Sequence, residues 1–163
     1  MTPAHVPVLL EQVVELLDPK PGETLIDCTA GLGGHAAAVA QRLGPDGRVV
    51  LFDLDPNNLE KAEARVRAAL RPDDPGSARV HAVRANFARA PAWAVEAGVR
   101  ADMLLADLGF ASTQVDDPAR GLSFRQPGPL DMRLDPDAPV TAAELVNTLN
   151  ERDLADLIFR YGE

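Results

Sequence analysis

The sequence predicts an α/β protein with a doubly wound, parallel sheet. Four short apolar runs, TLIDCT, RVVLFDLD, RVHAVRAN and ADMLLADLG, alternate with segments of helical periodicity. The runs are nearly continuously apolar, the pattern of parallel strands covered on both faces. The first of them leads directly into a glycine-rich turn, IDCTAGLGGHA, that opens the next helix. Strand, helix, strand in this order implies right-handed crossovers.

Each element has its own signal. VLLEQVVELL (8–17) carries apolar residues at helical spacing and ends at Asp18-Pro19, so it reads as a leading amphipathic helix. Pro21-Gly22 turns the chain into strand one, and HAAAVAQRL (35–43) forms a helix that Gly44-Pro45-Asp46-Gly47 stops. Strand two ends on Asp53 and Asp55. Asp55 is placed to cap the next helix, with Pro56 at its first position, and that helix continues to about Leu70. Strand three is followed by a short helix around Ala92 to Ala97, and strand four by Gly109. Asp116-Asp117 reads as a cap or terminator before Pro118. Thr141-Ala-Ala-Glu144 is a capping-box pattern opening a helix, and NERDLADLIFRYG looks like a second one, with Leu154, Leu157 and Ile158 on one face.

Composition bounds what this fold does. With 163 residues, 46% hydrophobic and 25% charged, the chain supports one α/β core with little left for a second complete domain. Aromatics are only 4%, so the core is expected to be aliphatic. Cys28 stands alone and no Cys/His pair has zinc-ligand spacing, which points to a reduced, cytoplasmic setting and no metal. The start TPAHVPVLLEQ lacks a basic leader, and no apolar run is long enough for a membrane span; a soluble protein is expected. The net charge of −9 argues against general nucleic-acid binding, which rests on neutralising phosphates. It leaves room for a local RNA site. The candidate is ARGLSFRQPGPLDMR, with Arg120, Arg125 and Arg133; a solvated loop whose arginines pair with neighbouring aspartates is the reading composition favours.

In such sheets ligands bind at the carboxyl ends of the strands. The polar residues there are Asp27 with Gly31, Gly33 and Gly34, then Asp53, then Asn86-Phe87, then Asp107-Leu108-Gly109. A Walker-type phosphate loop is excluded, because the turn has no lysine. Gly31 to Ala36 satisfies G-x-G-x-x-A, and Asp53 stands near the position of a ribose-binding acid, so a nicotinamide dinucleotide stays open. Asp27 and Asp107 favour S-adenosylmethionine instead: carboxylates repel a pyrophosphate and attract a sulfonium and an α-amino group. Asp53 suits either cofactor.

A specific resemblance emerges from five stretches: HVPVLLEQVVELL, DCTAGLGGHA, FDLDP, DLGFASTQVDDPARGLSFRQPGPLDMRLD and TAAELVNTLNERDLADLIFRYGE. Together they resemble the bacterial 16S ribosomal RNA (cytosine-N4) methyltransferase family, over almost the whole chain. The resemblance implies a Rossmann-like S-adenosylmethionine methyltransferase fold and methyl transfer to the exocyclic amine of a decoding-centre cytosine in 16S rRNA of the small ribosomal subunit. It implies Gly33, Gly34 and His35 at the methionine end of the cofactor, Asp53 on the ribose, Phe87 near the adenine, and Asp107 and Gln114 closing the site. DLGFASTQ departs from the family at Phe110, Ala111 and Thr113, where Val, Ser and Pro are usual.

The chemistry can be weighed apart from the resemblance. A cytosine amine is a poor nucleophile, so a carboxylate at the end of strand four that accepts its hydrogens and aims it is useful; Asp107 is the candidate. The alternative is that Asp107 only holds the cofactor's amino group. Methylation at carbon five would need a cysteine nucleophile. Cys28, at the end of strand one, reads as a small core residue. Without the resemblance, His35 would be assigned packing or capping and Phe87 the core; His5 and His81 are given no role.

The expected division is 1–117 for an incomplete cofactor-binding domain and 118–163 for a loop and helices resembling the start of the family's inserted substrate-binding region. In the family RYGE lies within the chain and further strands follow, so the sheet expected here has the order 3-2-1-4. This leaves Met103, Leu104 and Leu105 on an open edge, to be covered by a homodimer or by the chain's own C-terminal helices. Three readings therefore stand: an rRNA methyltransferase, whole or truncated; a non-catalytic cofactor-binding remnant; and an NAD-dependent oxidoreductase, for which no catalytic residue is found.

Overall fold

The structure is a computed structural model that describes residues 7–70 and 79–162, apart from the side chains at 112 and 113. Four parallel strands, β1 (Thr24–Asp27), β2 (Arg48–Asp53), β3 (Val80–Arg84) and β4 (Met103–Leu105), form one sheet in the order β3-β2-β1-β4, as the sequence predicts.

Alternation within the apolar runs sends successive residues to opposite faces. Leu25, Val49, Leu51 and Met103 pack with Val39 and Leu43 of α2 (Gly34–Leu43), with Leu59 and Val66 of α3 (Pro56–Ala69), and with Val14 of α1 (Leu10–Leu17). Ile26, Val50 and Phe52 face the other way, towards Ala90 and Trp93 of α4 (Ala90–Glu96). There Phe52 and Trp93 meet edge to face, centroids 5.8 Å apart. The core is aliphatic, as composition predicts, with this pair as its aromatic exception.

Helix ends follow the capping chemistry. Asp55 accepts from the amides of Asn57 and Asn58 at 2.9 and 3.4 Å, with Pro56 opening α3. α1 begins at Leu10 rather than residue 8, because Leu9 takes a left-handed conformation (φ 54°) ahead of it. α4 begins at Ala90 rather than Ala92, behind a tight helical turn, Phe87–Arg89, that the Asn86 side chain caps through the Ala88 amide at 2.9 Å. β4 pairs with β1, and among the described residues no strand lies on its other side. Leu104, in register with Ile26, is 60% exposed while Ile26 is 3% exposed, so the open edge expected from the sequence is present.

The chain divides between Leu108 and Gly109 into two compact units, ahead of the 117/118 boundary suggested by sequence. In the second unit α5 (Ser112–Asp116) has no forerunner in the sequence reading, and Asp117 caps the tight turn Pro118–Arg120 through the Ala119 amide at 3.0 Å. α6 (Ala142–Thr148) opens with the reciprocal box: Glu144 Oε2 accepts from the Thr141 amide at 2.8 Å, and Thr141 Oγ1 from the Glu144 amide at 3.2 Å. α7 (Glu151–Tyr161) follows, capped by Asn150.

Candidate functional site

Parallel pairing brings the strand-end acids together. Asp27 is the register partner of Leu51 in β2 and of Leu105 in β4. Asp53 and Asp107 each lie two residues beyond those partners, so they flank Asp27 on either side. Asp27 feels both neighbours: Asp53 and Asp107 each act to raise its pKa.

Asp27 is sealed beneath the turn at 1% exposure. One oxygen accepts from the Thr29 amide at 3.0 Å. Burial pushes its carboxyl up to about 6; the Thr29 hydrogen bond and the nearby His35 act in the opposite direction. A group so covered reaches a ligand through its field, and contact is left to its neighbours. Asp53 is half-buried and accepts the Asp55 amide on one oxygen at 2.9 Å and the Gly31 amide on the other at 2.8 Å. Burial raises its pKa, partly offset by those two hydrogen bonds. The Leu54 backbone also acts on this carboxylate, which retains acceptor capacity for a further donor. Asp107 is exposed, and its amide donates to Thr29 Oγ1 at 2.7 Å. Thr29 therefore joins Asp27 to Asp107, a role missed by the sequence reading; the only local signal was a hydrogen-bonding residue two positions after an aspartate.

The glycine turn is shaped by packing as much as by any ligand. At Gly33 (φ 72°) a Cβ would lie 2.7 Å from Ala62 Cα and 2.8 Å from the Ala62 carbonyl, and at Gly34 it would strike Pro7. Gly31 (φ 51°) has only the Thr29 carbonyl near, at 3.8 Å. The Gly31 and Gly33 amides are already donors, to Asp53 and to the Ala30 carbonyl at 2.7 Å. A pyrophosphate cradle needs such amides free. The first amides of α2, at Gly34, His35 and Ala36, have no partner within the helix, and no side chain caps it.

His35, buried in that first turn, donates from Nε2 to the Val8 carbonyl at 3.0 Å, since a carbonyl can only accept. Phe87 follows β3 and is 44% exposed, so it is not the core residue it would be taken for without the resemblance, and its ring is available at the strand end. Cys28 is buried with its thiol pushed up by desolvation and by Asp27, as fits a core residue. His81 lies in register with Val50 and packs its ring on Trp93, 5.9 Å between centroids. His5 lies outside the described residues. Gln114 belongs to the second unit, buried in α5, with Oε1 accepting from the Ala111 amide at 3.0 Å.

The three arginines separate. Arg133 holds Asp131 with two bonds, at 2.8 and 2.7 Å, and the Ala138 carbonyl at 2.8 Å. Arg120 reaches the Leu134 carbonyl at 3.0 Å. Both serve their own loop, in line with the reading favoured by composition. Arg125 is exposed and makes no side-chain hydrogen bond or ion pair among the described residues. No group of histidine, cysteine and acidic residues that could hold a metal is found among them either.

Fold and site together define a Rossmann-like α/β protein with a cluster of acidic residues at the carboxyl ends of its strands. Residues 2–163 match the MraW methylase family, and the chain belongs to it. It is 44% identical over 160 residues to the ribosomal RNA small subunit methyltransferase H of Syntrophobacter fumaroxidans, covering 98% of this chain and 48% of the relative. It is 43% identical over 162 residues to the protein of the same name from Acidobacterium capsulatum, covering 98% and 53%. The chain spans about half the length of the curated relatives it matches. Among solved structures, TrmN from Thermus thermophilus aligns with a TM-score of 0.43 and 29% identity over 53% of this chain and 24% of that one.

Proposed function

We propose that this chain carries the cofactor-binding part of an S-adenosylmethionine-dependent methyltransferase that modifies the N4 amine of a decoding-centre cytosine in 16S rRNA. One observation carries the cofactor choice: Asp27, Asp53 and Asp107 converge beside a glycine turn whose Gly31 and Gly33 amides are already engaged. Three carboxylates beside the turn disfavour a pyrophosphate, which carries two or more negative charges, and suit a ligand with a cationic centre.

When bound, S-adenosylmethionine supplies an electrophilic methyl group. Asp53 accepts from the ribose with its remaining acceptor capacity. The uncapped start of α2, at Gly34 to Ala36, takes the ligand's carboxylate. The buried charge of Asp27 favours the cationic end, and Phe87 offers a face to the adenine. Asp107, exposed at the end of β4 and held through its own amide by Thr29, accepts hydrogens from the target amine and keeps it aimed.

Calorimetry with S-adenosylmethionine and NAD tests the first part, with binding of the former expected; preference for NAD sinks the reading. Methyl transfer to small ribosomal subunits by the wild type, and its loss in Asp107→Ala with cofactor binding retained, tests the second. Cofactor binding without any transfer by the wild type would assign a binding role alone.

A further inference from the structure

The geometry points to Phe124 and Arg125, at the tip of the loop spanning residues 121–128, as a stacking and phosphate contact for single-stranded RNA. This rests on the reading of an RNA substrate and names the residues that meet it.

The base of the loop is built tightly. A Cβ at Gly121 would strike the Pro129 carbonyl, and one at Gly128 the Pro118 carbonyl, so the two arms lie against each other. The Met132 amide donates to the Arg120 carbonyl at 3.0 Å, and Arg133 locks Asp131 beyond it. At the tip Phe124 is 101% exposed, so the loop itself does not use its ring. The Arg125 amide donates to Ser123 Oγ at 3.2 Å, which curls the chain at that point, while the guanidinium stays open.

Charge selects the partner. Between Asp117 and Asp131 the chain has two arginines and no acid, in a protein of net charge −9. Phe87 also lies in an acid-free stretch, with Arg84 and Arg89, but is only 44% exposed and is taken by the cofactor reading; Phe159 and Tyr161 flank Arg160 yet share α7 with Glu151, Asp153 and Asp156, and Phe110 lies close to Asp107 in the chain. An unburied ring beside a free guanidinium matches what unstacked bases and their phosphates require.

The test is fluorescence-anisotropy titration of the 163-residue chain with a labelled single-stranded oligoribonucleotide across a salt series. Phe124→Ala is expected to bind about tenfold more weakly, and Phe124→Tyr to restore binding. Arg125→Gln is expected to reduce the slope of log K against log salt by about 0.7. Because Phe124 is unburied, its variants should keep the wild-type urea midpoint and S-adenosylmethionine affinity. Equal RNA binding by Phe124→Ala and wild type overturns the proposal. So does wild type that binds no single-stranded RNA, or a change in sedimenting mass with Phe124→Ala, which would give the ring to self-association. RNA binding that depends on Phe124 in a chain with no affinity for S-adenosylmethionine would uphold the loop contact and bring down the cofactor reading.

Discussion

The Gly31 amide donates to Asp53 Oδ2 at 2.8 Å, tying the glycine turn to the end of the neighbouring strand. The other Asp53 oxygen receives the Asp55 amide at 2.9 Å, so one carboxylate sets both the turn and the entry to α3. It also explains why the turn is a poor phosphate cradle: an amide that would face an anion is already bonded to one.

Asp53→Asn therefore does more than remove a charge. Its new amide group would face one of two backbone N–H groups, donor against donor. A hydrogen bond to a charged group contributes about 1.5–3 kcal/mol, so S-adenosylmethionine affinity should fall about tenfold or more. Calorimetry at pH 7 measures it, and an unchanged Kd would remove the ribose role from Asp53.

The turn glycines should differ in cost. Gly33→Ala adds a Cβ against the Ala62 backbone at 2.7–2.8 Å in a left-handed conformation. Left-handed strain of about 1–2 kcal/mol and overpacking of about 1–3 kcal/mol both apply. Gly31→Ala meets only the first, since its nearest neighbour would be 3.8 Å away. Urea unfolding should give a clearly lower midpoint for Gly33→Ala than for Gly31→Ala; the reverse order would mean that Gly31, not Gly33, is the packing glycine.

Features written within a few residues were legible in the sequence. Asp55-Pro56, Thr141 with Glu144, and the apolar runs gave the strands, their parallel pairing and most helix ends, because capping and burial on both faces are local or periodic signals. What could not be read depends on partners far along the chain or on local geometry that has no period of its own. The Thr29 hydroxyl meets an amide 78 residues away, and Asp27 differs from Asp53 only through the layers folded over it. Arg125 and Arg133 look alike in sequence; the Ala138 carbonyl and Asp131 claim one and leave the other. α5 has five residues, too few to show a helical period.

Asp131 and Arg133 give a prediction in acid. Hydrogen bonds from the Arg133 side chain, then from its amide, hold the Asp131 carboxyl down at about 2. A carboxylate depressed below its ordinary value of 3.8 favours folding above that pH, and the contribution disappears as pH falls through the lower value. Arg133→Ala should let the Asp131 pKa rise towards the ordinary range, followed by carboxyl NMR, and should flatten the acid-induced loosening of this loop between about pH 4 and 2. An unmoved Asp131 pKa would show that other contacts hold it.

Asp27 predicts the opposite sign. Its folded pKa of about 6 lies above the value of 3.8 for a free aspartate, because burial penalises the charge. Below about pH 4 both folded and unfolded chains carry it protonated and there is no penalty. Between about pH 4 and 6 the unfolded chain ionises first, so stability falls as pH rises. Above that range the folded state bears the full cost, on the order of 3 kcal/mol. Asp27→Asn should therefore be more stable than wild type at pH 8, with the gap closing by about pH 4 in urea unfolding. A cationic ligand reverses the logic, since it favours the ionised carboxylate and expels the proton. S-adenosylmethionine should then bind wild type more tightly as pH rises from about 5 to 7, with proton release detectable by calorimetry in buffers of different ionisation enthalpy. Asp27→Asn should bind more weakly at pH 8 and show neither the proton release nor that rise. Identical pH profiles for the two proteins would mean that the buried charge does not reach the cofactor.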